Sequence, residues 1–387
     1  MKTPEKSTAF VAGSYRRHFR NTQFAYQSFL PTKVNQPYRW ADQRISMMLE
    51  RAMGLVGELN AYSRLIPNVD FFIKMHSLRE AVESSRIEGT ETGMDEAVLS
   101  AAEIAPEKRN DWKEVQNYVL AMNHAIDKLG ELPICMRLLR QAHKILMTGV
   151  RGESRQPGKV RAMQNWIGGT NIQTASFIPP HPDDLPNLLQ DLEVFWNNQN
   201  LYLPHLIKIA ISHYQFETLH PFNDGNGRIG RMLIVLHLIE FGVLQKPTLH
   251  LSDFIERNKS AYYDSLTFVR ERNDMEQWIL FFLSAVTETA QKGKDTFEQI
   301  VALRANYEQR IRALGRRAES AYKLLERLFS APAISVADVS RQLDCSVSTA
   351  NTLCGQMQQA DLLREVTGHS RNRVFVLHQY VRLFGHE

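Results

Sequence analysis

The sequence predicts a mainly α-helical protein: a helical bundle that contains a β-hairpin and is followed by a winged helix-turn-helix domain. From Pro37 onward, apolar residues recur at the spacing of a helix, and few runs alternate as strands do. One segment, 165–180, has β-formers on both sides of a Gly-Gly-Thr-Asn turn and ends in two prolines, which predicts a hairpin. Residues 1–40 are predicted to be irregular, with aromatic side chains that wrap a core.

The composition is that of a globular protein with two or three packed units. The chain has 387 residues, 43% of them hydrophobic and 23% charged, which excludes a single small module and a disordered chain. A formal net charge of +4 gives no general reason to expect nucleic acid or an anionic membrane as a partner. The longest apolar runs are shorter than the roughly 20 residues that cross a bilayer, so no membrane contact is predicted. The three cysteines have no C-x-x-C spacing, which favours a reducing cytoplasm.

Changes of pattern along the chain predict four regions. These are an N-terminal region at 1–105, the core of the bundle at 106–300, an arginine-rich linker helix at 301–318 and a C-terminal domain at 319–387. Within the last region, helical runs at 334–343 and 346–359 are separated by a short break, as in a helix-turn-helix. Two β-like runs, 362–366 and 374–377, follow and flank a turn. This order predicts a winged helix.

The segment between two predicted amphipathic helices carries the functional prediction. It reads HPFNDGNGRIGR and spans residues 220–231. Pro221 disfavours the α region for His220, so the imidazole is expected at the exit of the first helix. The Gly-Asn-Gly run at 225–227 lets the backbone approach a ligand and opens a helix whose N–H groups and dipole attract anions. These features predict a phosphate cradle beside a histidine.

The charges of the same segment point to a bound anion and a cation. Arg228 and Arg231 lie three residues apart in the first turn of the second helix, where the helix dipole disfavours cations. An anion between them resolves this conflict. Asp224 would repel that anion unless a hard cation bridged carboxylate and phosphate oxygens, the arrangement that Mg²⁺ prefers. The residues alone therefore predict a Mg²⁺-nucleotide site. The alternative is a glycine-rich helix connection with a core histidine and two solvated arginines.

Residues 220–231 resemble the signature H-x-F-x-(D/E)-G-N-G-R-x-x-R of the Fic (filamentation induced by cAMP) family, with a match at every specified position. The resemblance implies a Fic-type helical bundle that transfers AMP from ATP to a protein hydroxyl. It implies that His220 is the general base and that Asp224 holds Mg²⁺ on the α- and β-phosphates. The implied ATP-binding residues are Gly225, Asn226, Gly227, Arg228, Gly230, Arg231, Asn258, Tyr262, Tyr263 and Leu266. The last four would form the adenine pocket, although aromatic residues at helical spacing more often pack in a core.

Two further segments resemble regulatory and target-binding parts of the family. Residues 84–89, SSRIEG, resemble the inhibitory motif (S/T)-x-x-x-E-(G/N) of the subclass with an N-terminal inhibitory helix. Glu88 is then expected to pair with Arg231 and keep the protein weakly active, whereas the alternative is an ordinary exposed helix end. The hairpin corresponds to the family's flap, which holds a target segment as an added strand. The flap residues are Ile167, Gly168, Gly169, Phe177 and Ile178.

Together these features predict an auto-inhibited adenylyltransferase that needs ATP and Mg²⁺ and modifies a Ser, Thr or Tyr hydroxyl of a target protein or of itself. With Glu88 positioning a water, the same site could also remove AMP. Two alternatives stay open: transfer of UMP or phosphocholine, and a nucleotide-sensing transcriptional regulator whose winged helix contacts DNA. The predicted recognition helix, 346–359, contains no Lys or Arg, which favours target docking or homodimer formation over DNA contact.

Overall fold

The computed structural model describes residues 10–65, 69–151, 153–369 and 372–385, and it is mainly helical, as predicted. The helices are α1 (Gln43–Leu65), α2 (Val69–Ile87), α3 (Met94–Ala97), α4 (Arg109–Leu129), α5 (Met136–Met147), α6 (Leu185–Asn197), α7 (His205–Leu219), α8 (Asn226–Glu240), α9 (Ser252–Arg257), α10 (Lys259–Arg272), α11 (Met275–Arg312), α12 (Ala318–Ser330), α13 (Val336–Gln342), α14 (Val347–Gln359) and α15 (His378–Arg382). The strands are β1 (Gly13–His18), β2 (Tyr26–Pro31), β3 (Ala333–Ser335), β4 (Arg364–Glu365) and β5 (Val374–Val376). Among the helices described, none is long and apolar enough to cross a membrane.

The chain divides into two compact units, each assembled from separate stretches. The first unit contains residues 1–54, 120–244 and 254–288, and the second contains residues 55–119, 245–253 and 289–387. The predicted linker helix at 301–318 is not a separate element, because α11 continues unbroken for 38 residues to Arg312. Its buried face persists through the arginine-rich stretch, where Tyr307 and Ile311 are fully buried. Arg304 and Arg310 of this stretch are half-buried, and Arg312, the last residue of α11, is exposed. The boundaries of the four predicted regions stay predictions.

The N-terminal region forms a β-hairpin, which corrects the prediction that residues 1–40 are irregular. Strands β1 and β2 pair antiparallel from Gly13 opposite Pro31 to His18 opposite Tyr26. Side chains of β1 are exposed on both faces, so the strand carries no hydrophobic alternation that sequence analysis could detect. On β2, Phe29 is fully buried and anchors the hairpin in the first unit.

Helices α7 and α8 form the centre of the first unit. Every residue of α7 after His205 is buried, so the prediction of an amphipathic helix is wrong here. The two helices approach closely at Gly230, since a Cβ atom there would overlap the carboxylate of Glu217 and lie 3.3 Å from Phe216 Cδ1. The packing of the two helices therefore accounts for a glycine at position 230, whereas the sequence resemblance had assigned Gly230 to ATP binding.

The C-terminal elements follow the order helix, strand, helix, helix, strand, strand and a last short helix, α15. Strands β3, β5 and β4 form an antiparallel sheet in that spatial order. The run predicted as one helix at 334–343 is divided, because β3 takes its first residues and α13 the rest. Helix α14 begins where the Ser346 side chain accepts a hydrogen bond from the amide of Thr349. The element order is the one expected of a winged helix. The assignment of residues 319–387 to a winged helix domain stays a prediction.

Replacing Gly230 by Ala should lower the free energy of unfolding by about 1–3 kcal/mol, because the new methyl group would displace the buried carboxylate of Glu217 and crowd Phe216. A matched control is Gly57→Ala in α1, where a Cβ atom has nothing within 4 Å. That variant should raise the free energy of unfolding by roughly 0.5–1 kcal/mol. Urea unfolding followed by circular dichroism measures both changes. Equal stability of Gly230→Ala and the parent protein would contradict the packing role.

Candidate active site

The histidine of the signature lies at the end of α7, where the helix stops. His220 adopts a left-handed conformation, with φ 48° and ψ 58°, and its amide still donates to Phe216 O at 3.0 Å. The sequence predicted that Pro221 would keep this residue out of the right-handed α region, and the backbone agrees. His220 is half-buried, whereas the rest of α7 beyond His205 is buried. The helix end thus brings one imidazole to an accessible position.

The turn between α7 and α8 is closed by the side chain of Asn226. Its Oδ1 accepts from the Phe222 amide at 2.8 Å, and its Nδ2 donates to the Phe222 carbonyl at 2.8 Å. Asn226 is 2% exposed, and its amide holds the turn. Its assignment to ATP stays a prediction. Gly225 precedes α8 with φ 73°, a conformation that favours glycine.

A histidine that the sequence analysis missed packs against this turn. His143 on α5 is fully buried, and its ring stacks on Phe222 with centroids 3.9 Å apart. Its Nδ1 accepts from the Gly158 amide at 2.8 Å, which leaves Nε2–H to donate to the Asp224 carbonyl at 2.9 Å. Burial lowers the pKa of His143 to about 4. A buried histidine on an amphipathic helix gives no sequence signal, so only the fold reveals this contact.

The charged residues of the turn differ in their exposure to solvent. Arg228 and Arg231 are 4% and 3% exposed, which contradicts the alternative of two solvated arginines. The side chain of Asp224 is 46% exposed, accepts from the Gly225 amide at 2.6 Å and lies 3.8 Å from Arg228 Nη2. An accessible carboxylate therefore lies near the buried guanidinium group of Arg228, at the positive end of α8.

A metal ion at this turn would need ligands from a substrate. Within the described residues, no group of three His, Cys, Asp or Glu side chains could hold a metal by itself. Mg²⁺ is usually bound through one or two carboxylates together with phosphate oxygens and water. The single accessible carboxylate of Asp224 fits that mode of binding.

The predicted flap is a loop closed by one bridge. The Ile167 amide donates to the Phe177 carbonyl at 2.8 Å, and the Phe177 amide donates back at 3.1 Å. No strands extend from this described bridge, which corrects the predicted hairpin. Gly168 and Gly169 both have φ 69°, and the side chains of Asn171 and Thr174 bond to the loop backbone in place of a ladder.

The two sides of the flap differ in exposure. Phe177 is buried beneath the Arg270 guanidinium, whose carbon lies 3.9 Å from the ring centroid. The Ile178 carbonyl accepts from the Phe29 amide of β2 at 2.9 Å. On the other side, Ile167 is half-buried and both glycines are exposed. One side of the flap is therefore anchored, and the other is accessible to a partner.

The four adenine-pocket predictions fall into two groups. Tyr262 and Leu266 are 2% and 4% exposed, and Tyr262 Oη lies 2.8 Å from His213 Nε2. These two side chains pack in the core, the alternative that the sequence left open. Tyr263 is 42% exposed, and Asn258 precedes α10 with its Nδ2 donating to Phe254 O at 2.9 Å. Asn258 and Tyr263 stay predictions.

Comparison with known families identifies the bundle. Residues 46–127 match the Fic/DOC family N-terminal region, and residues 133–238 match the Fic/DOC family. The chain therefore contains a Fic domain, preceded by the Fic/DOC N-terminal region. The second match includes the whole turn at 220–231, so the family predicted from the signature is confirmed for this Fic protein.

Curated relatives and a solved structure extend the comparison. The protein adenylyltransferase Fic of Aedes aegypti is 31% identical over 137 residues, which cover 34% of this chain and 24% of the relative. The probable protein adenylyltransferase aq_aa38 of Aquifex aeolicus (strain VF5) is 32% identical over 117 residues, or 30% of this chain and 35% of the relative. The match thus spans about a quarter to a third of these relatives. A crystal structure of a Fic family protein from Desulfovibrio desulfuricans G20 has a TM-score of 0.56 and 21% identity, covering 88% of this chain and 98% of that chain. It shares the fold.

Acidification should destabilise this Fic protein through His143. Its pKa in the folded protein, about 4, lies below the value near 6.5 of an unfolded histidine, so the unfolded chain binds the proton first. The free energy of unfolding should therefore decrease as the pH falls from about 6.5 to 4. His143→Gln should be less stable at pH 7.5 but should lose less stability over this interval. The exposed control His369→Gln should keep the parent slope, and a parent-like slope for His143→Gln would contradict the assignment.

Proposed function

We propose that this Fic protein transfers AMP from ATP to a hydroxyl group of a protein. The observation that carries the proposal is the turn between α7 and α8, where half-buried His220 lies beside an accessible carboxylate and two buried guanidinium groups. The curated relatives with about 30% identity are named protein adenylyltransferases, which supports the same reaction. Target protein, self-modification and the ATP requirement are parts of this proposal.

The start of α8 would bind the phosphates of ATP. Ile229 donates the first backbone hydrogen bond of the helix, to the Gly225 carbonyl at 3.1 Å. The first amides of a helix point toward its N-terminal end, and together with Arg228 and Arg231 they favour an anion. Asp224 would hold Mg²⁺, which would neutralise phosphate charge and orient the phosphates. Such fixed charges supply much of the catalysis in phosphoryl transfer.

His220 would act as the general base. It would accept the proton of a Ser, Thr or Tyr hydroxyl while that oxygen bonds to the α-phosphorus of ATP and pyrophosphate leaves. A positioned base of this kind contributes a rate factor on the order of 10²–10⁴. The accessible side of the flap, at Ile167, Gly168 and Gly169, would hold the target backbone as an added strand.

We also propose that Glu88 restrains the transfer. Helix α2 ends in a Schellman motif, since the Thr90 amide donates to Ser85 O at 3.2 Å and the Gly89 amide donates to Arg86 O at 2.9 Å. Gly89 has φ 97°, so the predicted glycine cap is present. A carboxylate at this helix end is disfavoured by the dipole and gains from a cation. Competition between Glu88 and the γ-phosphate for Arg231 would keep the protein weakly active, and Glu88 could position a water that removes AMP.

The C-terminal elements would dock a target or mediate homodimer formation. Helix α14 exposes uncharged polar side chains, among them Ser348 and Thr352, and contains no Lys or Arg. Arg373 on the neighbouring strand segment donates to the side chain of Asn351. These features supply little affinity for phosphates, so DNA contact by a nucleotide-sensing regulator is the less favoured function.

The proposed function predicts an AMP-sized gain in intact mass for Glu88→Gly after incubation with Mg²⁺ and ATP, and little gain for the parent protein. Glu88→Gly with His220→Ala should gain nothing, because the base is missing. Equal or lower transfer by Glu88→Gly than by the parent would contradict the restraint. Parallel incubations with UTP or CDP-choline test the alternative donors.

Asp224→Asn should lose the part of ATP affinity that depends on Mg²⁺. With Mg²⁺ present, calorimetry should show binding roughly 10-fold weaker than that of the parent protein, or about 1.4 kcal/mol. Without Mg²⁺, the two proteins should bind ATP equally. Asp183→Asn, whose side chain is 90% exposed, serves as the control. If Mg²⁺ strengthened ATP binding equally in Asp224→Asn and the parent, the metal role of Asp224 would be wrong.

A further inference from the structure

Arg161 is a buried arginine whose guanidinium group, among the described residues, donates to four backbone carbonyls. The residue is 2% exposed. Its Nε donates to His220 O at 2.9 Å, and its Nη2 donates to Leu219 O at 3.3 Å and to Pro180 O at 2.6 Å. Its Nη1 donates to Met163 O at 3.3 Å. One guanidinium group thus joins segments that are far apart in the sequence.

These contacts connect the catalytic turn with both ends of the flap. Leu219 and His220 form the end of α7, whereas Met163 and Pro180 lie just outside the two sides of the flap bridge. The backbone of Arg161 adds a fifth bond, from its amide to Pro221 O at 2.9 Å. The contacts therefore fix the two parts of the site in a single arrangement.

The charge of Arg161 suits this position. Among the described residues, the guanidinium is paired with carbonyls and not with a carboxylate, and burial lowers its pKa to about 10. It therefore stays protonated near neutral pH. Carbonyls at the C-terminal end of a helix carry partial negative charge and favour a cation. The planar guanidinium can reach several acceptors at once, which a lysine ammonium cannot do in the same geometry.

Asn165 reinforces the same connection. Its Nδ2 donates to His220 O at 3.3 Å and to Phe222 O at 3.2 Å. Asn165 lies two residues before Ile167, the residue that closes the flap bridge. A second side chain from the base of the flap therefore holds the His220 turn, independently of Arg161.

We propose that Arg161 is a positioning residue for the transfer reaction, which fixes the flap and the His220 turn to each other so that a target hydroxyl meets the imidazole. This inference rests on the proposed function. A displacement of about 1 Å between a reacting group and its base can reduce the rate on the order of 10²-fold. Arg161 does not touch the nucleotide in this proposal, so it acts on the rate and not on ATP binding.

The test uses the full chain in the Glu88→Gly background, with Arg161→Ala, Arg161→Lys and the exposed control Arg155→Ala. The rate of self-transfer is followed by intact mass, and the affinity for ATP by calorimetry. For Arg161→Ala we expect a rate roughly 100-fold lower and an ATP affinity within about twofold of the background. Arg161→Lys should recover part of the rate, and Arg155→Ala should keep it.

Hydrogen exchange gives a readout that does not depend on catalysis. Arg161→Ala should increase the exchange of the Ile167 and Phe177 amides, which close the flap bridge, while Arg155→Ala should not. Transfer by Arg161→Ala at the background rate, or unchanged exchange of these two amides, would overturn the proposal, as would a loss of ATP binding that equals the loss of rate. If the Glu88→Gly background transfers nothing, the proposed function fails, whereas hydrogen exchange still decides whether Arg161 fixes the flap.

Discussion

The site depends on the pair of hydrogen bonds that Asn226 makes with the backbone of Phe222. They close a turn in which His220 adopts a left-handed conformation and Gly225 begins the next helix with φ 73°. The ring of His143 stacks beneath Phe222 and binds the Asp224 carbonyl, so the turn is supported on two sides. Because the backbone is held in this way, the functional side chains do not have to hold it themselves.

The positive charge of the site comes from arginines and not from histidines. Burial lowers the pKa of both His143 and His213 to about 4, so these rings stay neutral and act as hydrogen-bonding supports. The buried guanidinium groups of Arg228 and Arg231 carry the charge instead. Guanidinium groups stay protonated over the whole physiological range, so the attraction for an anion does not change near neutral pH. Of the three described histidines His143, His213 and His220, the first two are buried and His220 is half-buried.

The local sequence pattern was sufficient to predict some elements of the fold and insufficient for others. The exit of α7 at His220 and the start of α8 at the Gly-Asn-Gly run agree with the sequence analysis, because a proline at one end of the turn and glycines at the other restrict the backbone locally. The N-terminal hairpin was missed, since β1 is exposed on both faces and has no alternation. The region boundaries around 301–318 stay predictions, although the first part of this stretch continues the long helix α11 to Arg312. The flap has fewer backbone pairs than predicted, because Asn171 and Thr174 bind the loop backbone themselves.

The sequence by itself determined the family, the mainly helical fold and the segment that carries the chemistry, since the residues at 220–231 are contiguous and their spacing restricts what they can bind. Only the tertiary structure decided which of these residues are buried and which are accessible. It assigned Asn226 to the turn, Gly230 to helix packing and Tyr262 to the core, and it brought His143 and Arg161 to the site from distant segments. The physical reason is that a buried polar group must find a hydrogen-bond partner, and its partner is chosen by the fold and not by the neighbouring residues in the chain.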